Sequence, residues 1–197
     1  GVVGSVTGSI PVALVAAVVS AVAMAALLAV FSIKYLVDQV VLGVVLNLLA
    51  SGITGFLFDQ LIQPNSATLN AAPQLPRVAI PGLSAIPLLG PALFNQSPLV
   101  YLAVLAVVVV ALLLYRTRWG LRVRSVGEHP EAADTVGINV RRTRWMAGLV
   151  GGLCAGLGGA YFTIGSTGGF IKDITVGNGF IALAAVIMGR WHPVRAA

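Results

Sequence analysis

The sequence predicts an all-α fold: a polytopic bundle of transmembrane helices with about four full spans and one short discontinuous segment. Hydrophobic residues make up 58% of the 197 residues, and charged residues make up only 9%. A soluble domain carries roughly 25% charged residues because water must wet its surface. Most of this surface therefore requires lipid as its solvent. We expect one transmembrane domain over residues 1–197, incomplete at both ends because the sequence opens within apolar residues and stops without a terminal helix.

The apolar residues fall into separate runs, at about 10–33, 40–58, 99–115, 145–164 and 180–188. A helix of ~20 residues crosses the ~30 Å hydrocarbon layer of a bilayer, so the first four runs predict spanning helices. The fifth run has about nine strongly apolar residues before Arg190. That length predicts a half-helix or discontinuous segment rather than a full crossing.

The charges indicate the orientation. Seven of the twelve basic residues lie between Tyr115 and Trp145, and both flanks of this cluster are apolar. Cytoplasmic loops of membrane proteins are enriched in arginine and lysine. We therefore expect residues 116–144 to be cytoplasmic and residues 59–98 to be external, in a multi-pass protein of a bacterial cytoplasmic membrane. The external loop holds seven prolines, which exclude regular helix over much of it.

The basic cluster does not indicate nucleic-acid binding, because no aromatic stacking platform interleaves its arginines. Anionic lipid headgroups are a partner that fits it better. Within the loop, Pro130 suits the first position of a helix, Glu131 favours the helix dipole, and Gly137 suits the left-handed residue after the end. These residues predict a short helix over 130–136. It is either a solvated connector or a helix that docks into the groove of a partner.

The residues of this loop carry a resemblance. Glu131-Ala132-Ala133-x-x-x-Gly137 resembles the EAA-x-x-x-G signature of permease subunits in ATP-binding cassette importers. The longer string from Gly127 through Pro130 to Ile138 resembles the branched-chain amino acid, ribose and nucleoside group of these permeases. His129 departs from the pattern, because asparagine is more usual before the proline. The same group is matched by three further stretches, 117–127, 47–50 and 189–193. A fourth, 80–91, is similar to the nucleoside branch of that group.

The resemblance implies a permease subunit that imports a small polar solute, with a nucleoside as the expected solute. It implies three protein partners: a cassette ATPase, a second permease subunit in a homo- or heterodimer, and an external substrate-binding protein. The residues expected to contact the ATPase are Gly127, Glu128, His129, Pro130, Glu131, Ala132, Ala133 and Gly137. The sequence contains no Gly-x-x-x-x-Gly-Lys-Ser/Thr motif, so we expect ATP hydrolysis in a separate subunit, and neither a cofactor nor an enzymatic role for this chain.

The alternatives are an ion-coupled secondary transporter and a channel. A secondary transporter would show an intramembrane carboxylate, whereas Asp38, Asp59 and Asp173 lie at the edges of the apolar runs. A channel would have no need of a docking helix. His129 and His192 lack the spacing of metal ligands, so no metal site is predicted.

Two sets of residues inside the spans are candidates for transport roles. Small residues at Gly148, Gly152 and Gly156 share a helix face and predict close helix packing, which is either static or part of a relay from the cytoplasmic loop. Asn47 is a strongly polar side chain deep in the second span, and it needs either an interhelical partner or a place on the substrate path. The candidates for contact with a base or sugar ring are Phe170, Asn178 and Phe180.

Overall fold

The computed structural model describes residues 2–70, 74–76, 78–79, 95–172 and 174–196. Ten helices lie in these ranges: α1 (Val2–Thr7), α2 (Ile10–Ala29), α3 (Gln39–Leu57), α4 (Ser66–Leu69), α5 (Pro98–Arg116), α6 (Arg118–Glu128), α7 (Pro130–Thr135), α8 (Val140–Ala160), α9 (Asn178–Met188) and α10 (Pro193–Ala196). A two-residue antiparallel pair joins β1 (Val78–Ala79) to β2 (Asn95–Gln96).

The prediction of four spanning helices is confirmed. The helices long and apolar enough to cross a bilayer are Ile10–Lys34, Gln39–Ile62, Pro98–Arg116 and Val140–Thr167. In three of them the last turn is a π-helix, over Val30–Lys34, Phe58–Ile62 and Tyr161–Thr167. Single π-helical turns occur often at functional sites of helical proteins.

The fourth span begins at Val140, five residues before the predicted boundary at 145. Hydropathy reports only the part of a helix that lies in hydrocarbon, whereas the polar first turn can extend beyond it. Asn139 starts this turn, because its side-chain Oδ1 accepts a hydrogen bond of 2.8 Å from the backbone N–H of Arg142. The amphipathic helix α6 was not predicted, since its sequence is too polar to resemble a span.

The fifth apolar run forms α9, whose 11 residues give a helix about 16 Å long at 1.5 Å per residue. This is roughly half of the hydrocarbon thickness, so the prediction of a short, discontinuous segment is confirmed. The turn after it contains two consecutive residues with positive φ, Arg190 and Trp191. Positive φ is uncommon for residues other than glycine, and this turn directs the chain back toward α5.

The tightest helix pair is α2 with α8. A Cβ built on Gly152 would lie 3.3 Å from the carbonyl oxygen of Ala21, and one on Gly156 would lie 2.8 Å from Cα of Val18. Residue numbers rise along α8 as they fall along α2, so the two helices are antiparallel. Backbones approach this closely only where the interface residues lack side chains.

The helix ends fall into two groups at opposite ends of the bundle. At one end, the Ser5 hydroxyl donates to the carbonyl of Leu69 (2.7 Å), and the backbone N–H of Leu75 donates to the carbonyl of Ile164 (3.1 Å). At the other end, Ile33 lines a cavity together with residues of 130–144. This grouping is the one that the predicted topology requires. Which end faces the cytoplasm stays a prediction.

The second span continues to Ile62, so the segment between the second and third spans is shorter than the predicted loop over 59–98; the regular structure of its described part is the four-residue helix α4 and the β1–β2 pair. The stretch 80–91, which carries part of the resemblance, lies outside the described residues. Helices α3 and α9 leave most of their apolar side chains exposed, and α5 leaves about half of its own exposed. Such surfaces are compatible with lipid or with further helices, and not with water.

Candidate coupling and translocation site

Helix α7 has well-defined ends. Pro130 occupies its first turn, where the absent N–H costs no hydrogen bond, and Glu131 follows in the same turn. After its last residue, Gly137 has a φ of +81°, which favours glycine. The backbone N–H of Ile138 donates to the carbonyl of Ala133 (3.0 Å), and that of Gly137 donates to the carbonyl of Asp134 (2.9 Å). This pair of hydrogen bonds is a Schellman motif, so helix and exit turn form one unit.

One side of α7 packs on the protein and the other side is open. Ala133 is only 4% exposed, whereas Glu131, Ala132, Asp134 and Thr135 are exposed. Val136, which follows the helix, is 74% exposed. Val136 thus adds an apolar side chain to the exposed surface at the exit of the helix.

The exposed residues of α7 include two acids, Glu131 and Asp134, which also line a cavity shared with Arg141 and Arg144 of α8. Glu128, Glu131 and Asp134 are all exposed. Among the described residues, none of these carboxylates forms an ion pair within 4.0 Å; the pair at that distance joins Lys172 to Asp59. Gly127 and Glu128 close α6, and His129 separates α6 from α7 without a capping hydrogen bond from its side chain. Seven of the eight residues expected to contact an ATPase are therefore at least partly exposed, along the end of α6, α7 and its exit turn, whereas Ala133 is buried against the protein.

Helix α7 is connected to the fourth span by a short link, residues 136–139. Asn139 caps the first turn of α8 directly after this link. A cavity of about 570 Å³ lies under the link, between Pro130, Glu131, Arg144 and the π-helical end of the first span at Ile33. The link is thus four residues long, with hydrogen bonds to the end of α7 on one side and to the first turn of α8 on the other.

The three glycines predicted to pack have different surroundings. Gly152 and Gly156 are buried against α2, as described above. A Cβ built on Gly148 would meet nothing within 4 Å, and this residue lines a cavity of about 660 Å³ that also touches Ser32 and Trp191. The structure therefore brings two of the three glycines into the helix interface.

The candidates for substrate contact are not gathered in one pocket by the described contacts. Phe170 packs on Phe58 with ring centroids 5.9 Å apart. The Asn70 side chain binds the backbone of Phe170 twice. The Asn70 Oδ1 accepts from the Phe170 N–H (2.6 Å), and the Asn70 Nδ2 donates to the Phe170 carbonyl (3.0 Å). Asn178 starts α9, and Phe180 is 67% exposed.

Asn47 lies on an exposed face of α3. Its side chain makes no hydrogen bond with any residue in the described part of the chain. Ser51 and Thr54 follow at intervals of four and three residues, so they share the face of Asn47 on a helix. The Thr54 hydroxyl donates to the carbonyl of Ala50 within the helix (2.7 Å), so the group on this face that is costly in hydrocarbon is the Asn47 amide. The face therefore requires a polar partner or an aqueous path.

Two clusters were not anticipated from sequence. At the end of α3, Asp59 pairs with Lys172 at 2.7 Å, and the Lys172 ammonium lies 5.7 Å from the ring centroid of Phe58. At the opposite end of the bundle, Tyr115 stacks on His192 with centroids 5.0 Å apart, and the Arg124 guanidinium lies 4.9 Å from the centroid of Tyr115. The partners are far apart in sequence, so no local pattern identifies them. In the described ranges, no three His, Cys, Asp or Glu side chains are grouped as metal ligands.

A family profile identifies the chain. The family described as the permease component of the branched-chain amino acid transport system matches residues 1–197. The chain belongs to this permease family. The resemblance inferred from the loop motifs is thereby confirmed, and so is the multi-pass membrane location.

The permease chain is similar to several curated proteins. It is 41% identical over 155 residues to the nucleoside ABC transporter permease protein NupC of Lactococcus lactis subsp. cremoris, covering 78% of this chain and 48% of that protein. It is 41% identical over 157 residues to the guanosine ABC transporter permease protein NupQ of Bacillus subtilis, with the same coverage. It is 39% identical over 155 residues to the putative glucose ABC transporter permease protein TsgC13 of Haloferax volcanii, covering 78% of this chain and 46% of that protein.

The alignments span about half the length of these curated relatives. No solved structure matches the chain. Because the alignments cover 78% of the chain, they include α7 whichever end of the chain they omit.

Proposed function

We propose that this chain is part of the permease subunit of an ATP-driven importer that carries nucleosides across the cytoplasmic membrane. Family membership and the names of two of the most similar relatives, NupC and NupQ, support this proposal. The structural observation that carries it is α7: a six-residue helix with one buried residue, two exposed acids and an exposed Val136. A helix this short is marginal in water, and its open side is suited to the groove of a partner.

The proposed partner at this surface is a cassette ATPase, which performs the ATP hydrolysis. The complete assembly also requires a second permease subunit and an external binding protein that delivers the solute. The permease chain itself is proposed to be a conduit rather than an enzyme. On ATP binding, closure of the ATPase subunits displaces α7 on the inner side of the membrane.

The route from α7 to the membrane is short. The link over 136–139 transfers the displacement to α8, and α8 carries α2 with it because their backbones touch at Gly152 and Gly156. The pair α2–α8 therefore moves as one body against α3 and α5. Rigid-body motion of packed helices is a common mode of transport gating.

The test is uptake into vesicles that contain the full-length permease with its ATPase and binding protein. ATP-dependent accumulation of guanosine, without accumulation of glucose or leucine, is the expected result. Accumulation of glucose alone would mean that the solute is a sugar rather than a nucleoside, in line with the similarity to TsgC13. Accumulation that follows an ion gradient and ignores ATP would overturn the proposal in favour of a secondary transporter.

The role of α7 is tested by Glu131→Arg, with Glu131→Gln as its matched control. Charge reversal at this exposed position should lower ATP-dependent uptake at least about tenfold, since like charges across an interface cost several kcal/mol. The glutamine variant keeps the size of the side chain and should retain most of the activity. Equal uptake by the wild type and the Glu131→Arg variant would show that α7 is not the docking point.

A further inference from the structure

A second pocket lies beside the coupling surface, on the other side of the link after α7. It has a volume of about 480 Å³ and lies between α6, the link and the first turns of α8. Its walls include Trp119 and Arg122 from α6, Asn139 from the link, and Arg142 and Met146 from α8. Val136 and Gly137 also line the pocket, so it adjoins the part of the ATPase surface at the exit of α7, although none of the five wall residues named above is assigned to that surface.

The pocket is strongly cationic and is not neutralised by the protein. Arg122 and Arg142 are exposed, and no carboxylate of the described chain lies within 4.0 Å of either guanidinium. The first turn of α8, which starts at Val140, contains Arg141 and Arg142 and no acidic residue. Arginines at a helix N-terminus are unfavourable, because the positive end of the helix dipole repels them. A bound anion would relieve this repulsion and accept hydrogen bonds from both guanidinium groups.

The pocket also lies at the level of the membrane surface. Helix α6 begins two residues after Arg116, where the third span ends, and α8 continues from the pocket into the fourth span. Trp119 is suited to the boundary between headgroups and hydrocarbon. Met146 is 44% exposed on the membrane side of the arginines. The pocket thus has a cationic polar wall joined to an apolar one.

We infer that this pocket binds the phosphate headgroup of an anionic phospholipid. The phosphate lies between Arg122 and Arg142, and the glycerol and the start of the acyl chains lie along Trp119 and Met146. A free phosphate ion would use only the polar wall. Because the pocket borders the link between α7 and α8, a bound lipid stiffens the connection that the proposed function uses, although its binding requires neither ATP nor the ATPase.

The experiment uses full-length permease purified without its ATPase and exchanged into phosphatidylcholine with or without phosphatidylglycerol. Native mass spectrometry measures the ratio of lipid-bound to lipid-free protein. The wild type should retain phosphatidylglycerol in preference to phosphatidylcholine. Arg122→Gln with Arg142→Gln should lower that ratio at least about tenfold, the effect of losing charge-assisted hydrogen bonds.

The matched control is Arg116→Gln with Arg118→Gln, which removes the same charge from the same surface outside the pocket. It should leave the ratio nearly unchanged, and Arg122→Lys with Arg142→Lys should restore part of the binding. If both glutamine pairs lowered the ratio of lipid-bound to lipid-free protein equally, the lipid would be held by diffuse attraction to the basic surface, and the inference of a binding pocket would be wrong. If millimolar inorganic phosphate displaced the lipid, the pocket would be a site for free phosphate and the inference of a lipid site would be wrong.

A partner role for the arginines gives a different result. If both glutamine pairs retain phosphatidylglycerol as the wild type does, while the Arg122→Gln, Arg142→Gln protein no longer binds the ATPase, the inference is wrong and the pocket belongs to the ATPase interface. Folding of each variant is checked by its melting temperature in phosphatidylcholine alone, where no anionic lipid contributes.

Discussion

At the scale of single residues, two glycines determine how closely the best-packed helices approach. Gly152 and Gly156 lie on the face of α8 that meets α2, whereas Gly151, Gly158 and Gly159 lie on other faces and have open space around them. Glycine lowers the intrinsic stability of a helix, so its use here is explained by the interface rather than by propensity.

This difference between faces gives a matched pair of substitutions. Gly156→Leu would place a side chain against Cα of Val18 and the carbonyl of Ala17, and overpacking of this kind costs about 1–3 kcal/mol. Gly159→Leu makes the same chemical change where nothing lies within 4 Å. Thermal unfolding in detergent should show a lower melting temperature for Gly156→Leu alone. Equal melting temperatures would mean that α2 and α8 do not meet at this glycine.

Asn47 raises a different question, because its amide is unpaired in the described chain. If its partner is a solute on the transport path, Asn47→Leu should lower ATP-dependent uptake about tenfold, the effect of one lost buried hydrogen bond. The melting temperature should stay the same or rise, since a costly polar group is removed. Leu48→Met, at the next exposed position, is the control for uptake. A fall in melting temperature with Asn47→Leu would instead indicate an interhelical partner.

At the scale of elements, short segments are stable because their neighbours complete them. Helix α7 is too short to persist alone, but Ala133 is buried beneath it and the Schellman motif fixes its exit. The turn after the fourth span is held in a similar way at the other end of the bundle. There, Asn70 bonds the backbone of Phe170, and Asp59 pairs with Lys172.

These two attachments should differ in strength. The Asp59 and Lys172 side chains are 48% and 47% exposed, and exposed ion pairs contribute about 0.2–1 kcal/mol. The Asn70 amide is partly buried and satisfies one backbone donor and one backbone acceptor, so its loss leaves groups unpaired at a cost of about 1–3 kcal/mol.

Asn70→Ala should therefore lower the melting temperature more than Lys172→Ala does. Raising the salt concentration should reduce the effect of Lys172→Ala and leave that of Asn70→Ala unchanged, because salt screens exposed charges. The opposite ranking would show that the ion pair, rather than the amide, holds this turn.

At the scale of the whole molecule, charge is distributed unequally between the two ends of the bundle. Residues 116–144 hold seven arginines at one end of the bundle, and Lys34 lies at the same end, whereas the described part of the opposite end holds Lys172 as its cation. Under the positive-inside rule this asymmetry predicts that α7 faces the cytoplasm. The proposed ATPase surface requires that orientation.

Cysteine labelling tests the orientation directly. Val136 and Leu61 are exposed at opposite ends of the bundle, and the native Cys154 can be replaced by alanine. In intact cells, a membrane-impermeant maleimide should label Leu61→Cys and should not label Val136→Cys until the membrane is permeabilised. Labelling of Val136→Cys from outside would invert the topology, and the coupling proposal would fail with it.

The sequence by itself determined the elements and their order. Four spans, a half-length fifth segment and the helix before Gly137 were all predicted, because hydropathy and helix capping depend on residues that are close in sequence. The grouping of the loops also followed from local charge. The amphipathic α6 was missed, since its pattern of arginines and apolar residues was read only as a charged loop.

Only the tertiary structure decided which faces meet. Gly148 shares its helix face with Gly152 and Gly156, yet only the latter two meet the backbone of α2, since two crossing helices touch over a limited length. The pairing of Asp59 with Lys172, which are 113 residues apart, and the pocket between Arg122 and Arg142 arise in the same way. Helix rotation and crossing position depend on contacts between distant segments, and no local sequence pattern specifies them.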